Sequence, residues 1–245
     1  MSFISYLING ISLGSVYALI ALGYTMVYGI AKMLNFAHGD VIMVGAFITY
    51  TMCSTMGLSP VIGVLAAVIA CTLLGMAIEK VAYKPLRKAS SPLAVLITAI
   101  GVSYLLQNLA LLIYGSEQKA FPVLFTIPSV ELGGVYIDGI TIATMAVTAI
   151  IMVGLSLFIN RTRMGKAMRA VSEDKEAAEL MGISVNRTIT VTFAIGSALA
   201  GVAAIFYGAA YTYIRPTTGA MPGIKAFTAA VFGGIGSIPG AMLGG

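Results

Sequence analysis

Charged residues make up only 9% of this 245-residue chain, histidine occurs once and cysteine twice. A soluble domain carries about 25% charge, so the shortage excludes an ordinary soluble globular protein and points to a chain that crosses a bilayer several times. Cys53 and Cys71 lie in apolar runs with no second cysteine or histidine nearby, which argues against a disulfide framework or a zinc site and leaves both as small buried hydrophobes. No G-x-x-x-x-G-K-[ST] occurs; the only Gly-Lys pair, Gly165-Lys166, is followed by Ala167, so the chain does not itself hydrolyse ATP. No uncharged run holds a central Asp, Glu, Lys or Arg, which excludes an obvious proton relay. One histidine, with no serine-histidine or paired-carboxylate pattern, leaves no hydrolase chemistry either. The chain reads as a non-enzyme, with no metal or cofactor of its own. The net charge of +5 is assigned to loop lysines and arginines rather than to a nucleic-acid surface.

What is present is apolar length. Six uncharged stretches, 1–31, 41–78, 89–116, 139–160, 188–214 and 226–245, make up about two thirds of the sequence, as six or seven spans of roughly 20 residues require. The run from Val41 to Ile78 would extend about 57 Å as one helix, nearly twice the hydrocarbon thickness, so it must hold two spans. Gly57-Leu58-Ser59-Pro60 is the turn between them. Single spans are expected near Leu93–Tyr114, Gly139–Asn160 and Ile189–Ile214, with a tail segment from Ala226. The expected architecture is all-α: a single membrane-embedded domain over 1–245 with about seven hydrophobic segments. No basic start or small-residue cleavage site marks a removable signal, so the first helix is expected to stay.

Ten of the fourteen basic residues fall in 79–92 and 161–188, which two spans separate; both read as cytoplasmic loops, and 117–138, with Glu117, Glu131 and Asp138, reads as external. Arg215 and Lys225 fall on the external side, against this rule. In the external loop, β-prone Val130–Leu132 and Val135–Ile137 flank Gly133-Gly134 and predict a small hairpin. Small residues recur every four positions at Gly10, Gly14 and Ala18, at Gly196, Ala200, Ala204 and Gly208, and at Gly236, Gly240 and Gly244, spacing that suits close helix contacts in lipid.

Two elements could carry function. Arg161 to Thr188 is too long for a turn and is patterned as short helices, with Ser172 as a cap for the second, acids in its first turn and Gly182 as a left-handed stop. Ala177, Leu180, Met181 and Ile183 give it an apolar face, suited either to its own membrane domain or to a partner's groove. The second element, Asn35 to Asp40, can interrupt a helix and offer polar groups to a translocation path through Asn35, His38 and Gly39; Gly236 and Gly240 in the glycine-rich tail are its expected counterpart. An interfacial loop with a satisfied histidine is the plainer alternative.

Glu176-Ala177-Ala178 followed by Gly182 resembles the cytoplasmic loop of ABC importer permeases, although the later Leu-Pro of that pattern is missing. Five further stretches resemble the branched-chain amino acid branch in order: Gly23-Tyr24-Thr25-Met26-Val27-Tyr28-Gly29, Leu34-Asn35-Phe36-Ala37-His38-Gly39-Asp40, Val81-Ala82-Tyr83-Lys84-Pro85, Phe227-Thr228-Ala229-Ala230 and Gly233-Gly234-Ile235-Gly236-Ser237-Ile238-Pro239-Gly240. The resemblance implies a subunit of the bacterial inner membrane that translocates leucine, isoleucine or valine delivered by a periplasmic binding protein. It further implies a second related permease and two ATPase subunits, which hold ATP and Mg and receive Glu176, Ala177, Ala178 and Gly182 as the coupling contact. Related permeases carry urea or short amides, an alternative cargo; a self-sufficient carrier or channel, or a structural membrane subunit, is a different class. Family members continue past the glycine-rich stretch, so this chain is expected to be short of the family at its C-terminal end.

Overall fold

The computed structural model of the chain describes residues 3–88, 92–132 and 135–245, a helical bundle with two minimal sheets. In chain order the helices are α1 (Phe3–Ala31), α2 (His38–Tyr50), α3 (Pro60–Ile78), α4 (Pro92–Tyr114), α5 (Gly139–Arg161), α6 (Arg163–Glu173), α7 (Lys175–Leu180), α8 (Val185–Tyr211), α9 (Ala220–Phe232) and α10 (Ile238–Gly244). The strands are β1 (Lys119–Ala120), β2 (Val130–Leu132), β3 (Val135–Ile137) and β4 (Tyr213–Ile214). Five helices, α1, α3, α4, α5 and α8, are long and apolar enough to cross a membrane; α9, of 13 residues, is a shorter apolar helix, and α2, equally short, opens on the polar His38 and Asp40.

Local sequence explains the boundaries. The 29 residues of α1 extend about 44 Å, more than a bilayer core, so the helix is long enough to span with tilt. It stops at Lys32, whose φ of 56° breaks the helical path. After α2 a π-helical turn, Thr51–Thr55, continues the rod until Gly57 reverses the backbone at φ 66°, and Pro60 opens α3 at a position where its missing N–H costs nothing. The expected hairpin is present: β2 pairs with β3 in the register Val130↔Ile137 and Leu132↔Val135. Its Gly133-Gly134 turn lies outside the described residues. A second pairing, Lys119↔Ile214 and Ala120↔Tyr213, ties the segment after α4 to the end of α8.

Two expectations change. Residues 79–92 are not simply a loop: a π-helical turn, Glu79–Tyr83, carries α3 onward, and a 3-10 turn, Pro85–Lys88, follows. Within this segment Glu79 is wholly buried, with Arg87 and Thr190 both bound to its carboxylate. The tail segment begins at Ala220, not Ala226, and Gly233 to Ser237 turns it back on itself into α10.

Helices α1, α2 and α8 form the centre, where Leu19, Met26, Ile42, Phe47, Ile189 and Phe193 are fully enclosed. Helices α3, α4 and α5 turn Leu73, Leu105 and Ile150 outward, the surface a lipid environment would cover. Lipid offers no hydrophobic drive for helix pairing, so close backbone approach has to hold the centre together. Gly75 lies against Ser197, Gly201 against Val68 and Gly196 against Gly23. Gly14 meets Gly245, whereas Gly10 has no neighbour within 4 Å among the described residues and so lies outside the packed part of its stripe.

Candidate functional site

The basic end of the bundle carries α6 and α7. Thr162 caps α6 by accepting from the Gly165 N–H at 3.0 Å, and Gly165, Met168 and Val171 face inward at helical spacing. Asp174 then serves two helices. Its N–H donates to the Ala170 carbonyl at 3.1 Å, closing α6, while its carboxylate accepts from Glu176 N at 2.8 Å and Ala177 N at 3.0 Å, opening α7. Ser172 is therefore not the cap expected for this helix; its hydroxyl donates back to the Arg169 carbonyl, inside α6.

Helix α7 closes with a Schellman motif. Gly182 at φ 79° donates to the Glu179 carbonyl at 2.9 Å and Ile183 to the Ala178 carbonyl at 3.0 Å. Caps at both ends hold a six-residue helix that would not persist alone. Of the four residues anticipated for partner contact, Glu176, Ala177 and Gly182 are exposed, whereas Ala178 is 3% exposed and seats α7 on the bundle. Ile183 also turns partly inward. Leu180 at 89% and Met181 at 82% are what α7 presents outward. Lys175 anchors the other side, donating to the Ala31 carbonyl at 2.9 Å; its burial, followed by nearby Arg87 and Lys32, holds its ammonium below the ordinary lysine range.

The Asn35 to Asp40 element is packed inside the protein, with Asn35, His38 and Asp40 all buried. Asn35 accepts from the Tyr83 hydroxyl at 2.9 Å, and Asp40 accepts from the Gln107 amide at 2.9 Å. The chain doubles back between Lys32 and Ala37, so His38 lies beside Gly23 and Tyr24, two turns before the end of α1. The His38 ring meets the Tyr24 ring edge-on at 4.8 Å, it is 1% exposed, and neither ring nitrogen has a hydrogen-bond partner. The Tyr24 hydroxyl beside it is likewise buried and unpaired.

Gly39 does not meet the glycine-rich tail. It touches Gly219, at the start of α9, so closely that neither position has room for a Cβ, and a Cβ at Gly223 would lie 3.2 Å from the Gly39 Cα. The N-termini of α2 and α9 thus adjoin inside the bundle. Gly236 instead packs on Gly29 of α1, and Gly240 on Gly233 across the α9–α10 turn. The structure brings His38 and Gly39 together, but Gly236 and Gly240 belong to a separate region.

That region borders a cavity of about 420 Å³ at the basic end, walled by α1, the end of α5, α6 and the α9–α10 turn, with Thr25, Gly29, Arg169, Glu173 and Gly236 on its surface. Tyr83, Gln107, Thr25 and Gly219 were not anticipated. Tyr83 and Thr25 sit within motif stretches, which was the available signal; Gln107 and Gly219 have none.

Five long apolar helices, helix contacts made through glycine and two short helices starting inside the bundle define a multi-pass α-helical membrane protein. The chain belongs to the family described as the branched-chain amino acid transport system permease component, which matches residues 6–245. It is 49% identical to the high-affinity branched-chain amino acid transport system permease protein BraD of Pseudomonas aeruginosa, over 99% of this chain and 83% of that protein. Identity to the Escherichia coli high-affinity branched-chain amino acid transport system permease protein LivH is 44% over 99% of this chain and 82% of that protein, and to a probable branched-chain amino acid transport permease protein LivH of Methanocaldococcus jannaschii 30% over 93% and 73%. No solved structure matches the chain at a significant level.

Proposed function

We propose that this chain is the membrane-spanning permease subunit of an ATP-driven importer of leucine, isoleucine and valine, in the inner membrane of a bacterial cell. A periplasmic binding protein delivers the amino acid, a second related permease completes the path, and two ATPase subunits supply the energy with their own ATP and Mg. The family and the names of the relatives support the cargo. The observation that carries the energy coupling is α7: a helix capped by Asp174, closed by Gly182, and presenting Leu180 and Met181 almost bare at the basic end.

An excess of lysine and arginine supports a cytoplasmic position for that end, where exposed Leu and Met have no lipid to cover them. Burying either against a protein groove is worth about 1.5–3 kcal/mol, enough for a docking contact. Glu176 and Ala177 lie on the same exposed surface. In this reading ATP binding displaces α7, α6 follows through Asp174, and the bundle changes which side it opens to.

The test is uptake of labelled leucine by cells lacking their own branched-chain importer, supplied with the complete transporter with or without this chain. Uptake only with the chain present is expected. Leucine flux through the purified chain alone in liposomes, or uptake of urea or short amides in place of leucine, would overturn the proposal.

A further inference from the structure

We infer that the cavity where α8 passes into α9 is an entry site, which holds the free amino acid by its carboxylate before the bundle opens. The inference rests on the reading above that this chain imports an amino acid. Helix α8 runs 27 residues from the α7 end, about 40 Å, so the cavity lies at the opposite end of the bundle, where a binding protein would release its cargo. Its volume of about 220 Å³ gives room for one small molecule.

Local sequence builds the cavity. Thr212, at φ 60°, ends α8 and turns the chain into β4, which pairs with β1. Thr218 closes the next turn twice: its hydroxyl accepts from the Arg215 N–H at 2.7 Å, and its N–H donates to the Arg215 carbonyl at 2.9 Å. That turn fixes the backbone of Arg215 on the cavity that Tyr207 and Tyr211 also line.

The groups that meet there suit a carboxylate. Lysine and arginine are scarce on the outer side of membrane proteins, yet Arg215 stands there with no ion pair among the described residues; the nearby acid, Glu117, is turned to Lys119 at 3.9 Å. Tyr207 is 8% exposed, and its hydroxyl makes no hydrogen bond among the described residues. Unlike the hydroxyls of Tyr24 and Thr25, it keeps accessible surface, on the cavity that Tyr207 lines. A buried tyrosine normally spends its O–H on a partner; this one is left for what enters the cavity. The Tyr211 hydroxyl lies 3.0 Å from that of Tyr17, which accepts from Lys225 at 3.3 Å. Lysine can only donate, so the Tyr17 proton is available to Tyr211 and frees the Tyr211 O–H for a ligand. Met221 brings the first turn of α9 to the same cavity, and a helix start favours an anion. No carboxylate lines the cavity, so it is built for an anionic group and not for an ammonium.

Position ties the cavity to the path. Thr218, on its wall, precedes Gly219, where α9 meets Gly39 of α2. A ligand held there stands one residue from the seam between the two short helices.

The test is competition for labelled leucine on the purified full chain in lipid nanodiscs, using leucine, leucinamide, which lacks the carboxylate, and 4-methyl-2-oxopentanoate, which lacks the ammonium. Leucinamide is expected to compete at least about tenfold more weakly than leucine, and the keto acid about as well as leucine. Arg215→Gln should remove the preference for leucine over the amide, and Tyr207→Phe should weaken leucine about tenfold. Lys119→Gln, an outer cation away from the cavity, should change neither; an equal loss there would mark an effect of overall charge and overturn the inference. The wild-type comparison needs no variant to fold. Leucinamide competing as well as leucine, failure of the keto acid to compete, or no saturable leucine binding in the millimolar range also overturns it. Leucine uptake by the complete transporter alongside absent binding would remove this site alone, whereas absent uptake would remove the importer reading.

Discussion

Arg87 reaches back across eight residues to the carboxylate of Glu79, which is entirely enclosed where α3 ends. The same carboxylate accepts from the Thr190 hydroxyl at 2.8 Å, and Arg87 also donates to the Asn186 side chain, so one ion pair staples the end of α3 to the start of α8. Removing one partner of a buried pair leaves an uncompensated charge and costs about 3–5 kcal/mol, while replacing both by apolar groups is often neutral. Arg87→Ala should therefore lower the melting temperature of the detergent-solubilised protein sharply, and Glu79→Leu/Arg87→Met should recover most of it. A double variant as unstable as the single one would show that the staple is not ionic.

Gly182 tests the proposed coupling role of α7 by backbone strain alone. A Cβ there meets nothing within 4 Å, so only its φ of 79° penalises a side chain. Gly182→Val should cost about 1–3 kcal/mol locally and loosen the end of α7. The expected outcome is normal membrane insertion with ATP hydrolysis uncoupled from uptake, measured on the reconstituted transporter; unchanged uptake would count against α7 as the coupling element.

Leu180 and Met181 contribute little to the chain's own stability, since both are nearly bare. Leu180→Asp should leave expression and melting temperature unchanged and reduce co-purification of the ATPase subunits at least about tenfold, the size expected from losing one apolar anchor. Retained association would indicate that α7 is not the contact.

His38 carries two unpaired ring nitrogens in a closed space. Replacing an unsatisfied polar side chain with an apolar one of similar size costs little stability and can add to it. His38→Leu should keep or raise the melting temperature while leucine uptake falls, which would mark a residue retained for transport at the expense of stability. Full uptake at normal expression would instead assign His38 to packing.

Lys175 gives a pH dependence. Its folded pKa lies below the 10.5 of a free lysine, through burial first and then through Arg87 and Lys32. Between the folded value and 10.5 the unfolded chain binds more protons, so stability rises as pH rises through that window and is flat below it. The melting temperature of the wild type relative to Lys175→Met should rise across that window, a comparison in which the other titrating groups cancel.

Elements set by neighbouring residues were legible. Pro60 after Gly57 located the turn before α3, and the β-prone runs at Val130–Leu132 and Val135–Ile137 located the hairpin. Gly182 located the end of α7. Elements set by distant partners were not. Nothing near Glu79 indicates that Thr190 will bind it, and nothing near Lys119 indicates a strand partner at Ile214. The cap of α7 was misplaced by two residues because Ser172 and Asp174 are both good caps, and the choice depends on where α6 ends. Asn35 and His38 were singled out as polar groups in an apolar chain, but the cavity beside Arg169 requires α1, α5, α6 and the α9–α10 turn to be assembled first.

Where Gly39 touches Gly219, no side chain lies between α2 and α9. Elsewhere in a close-packed interior, parting two helices means freeing interlocked side chains and finding new rotamers for them. Here two bare backbones can slide apart with no rotamer to change, so internal friction at this seam is low. A single methyl group added at Gly39 has no room against the Gly219 carbonyl and would force the two helices apart, so the seam exists only while both positions stay bare.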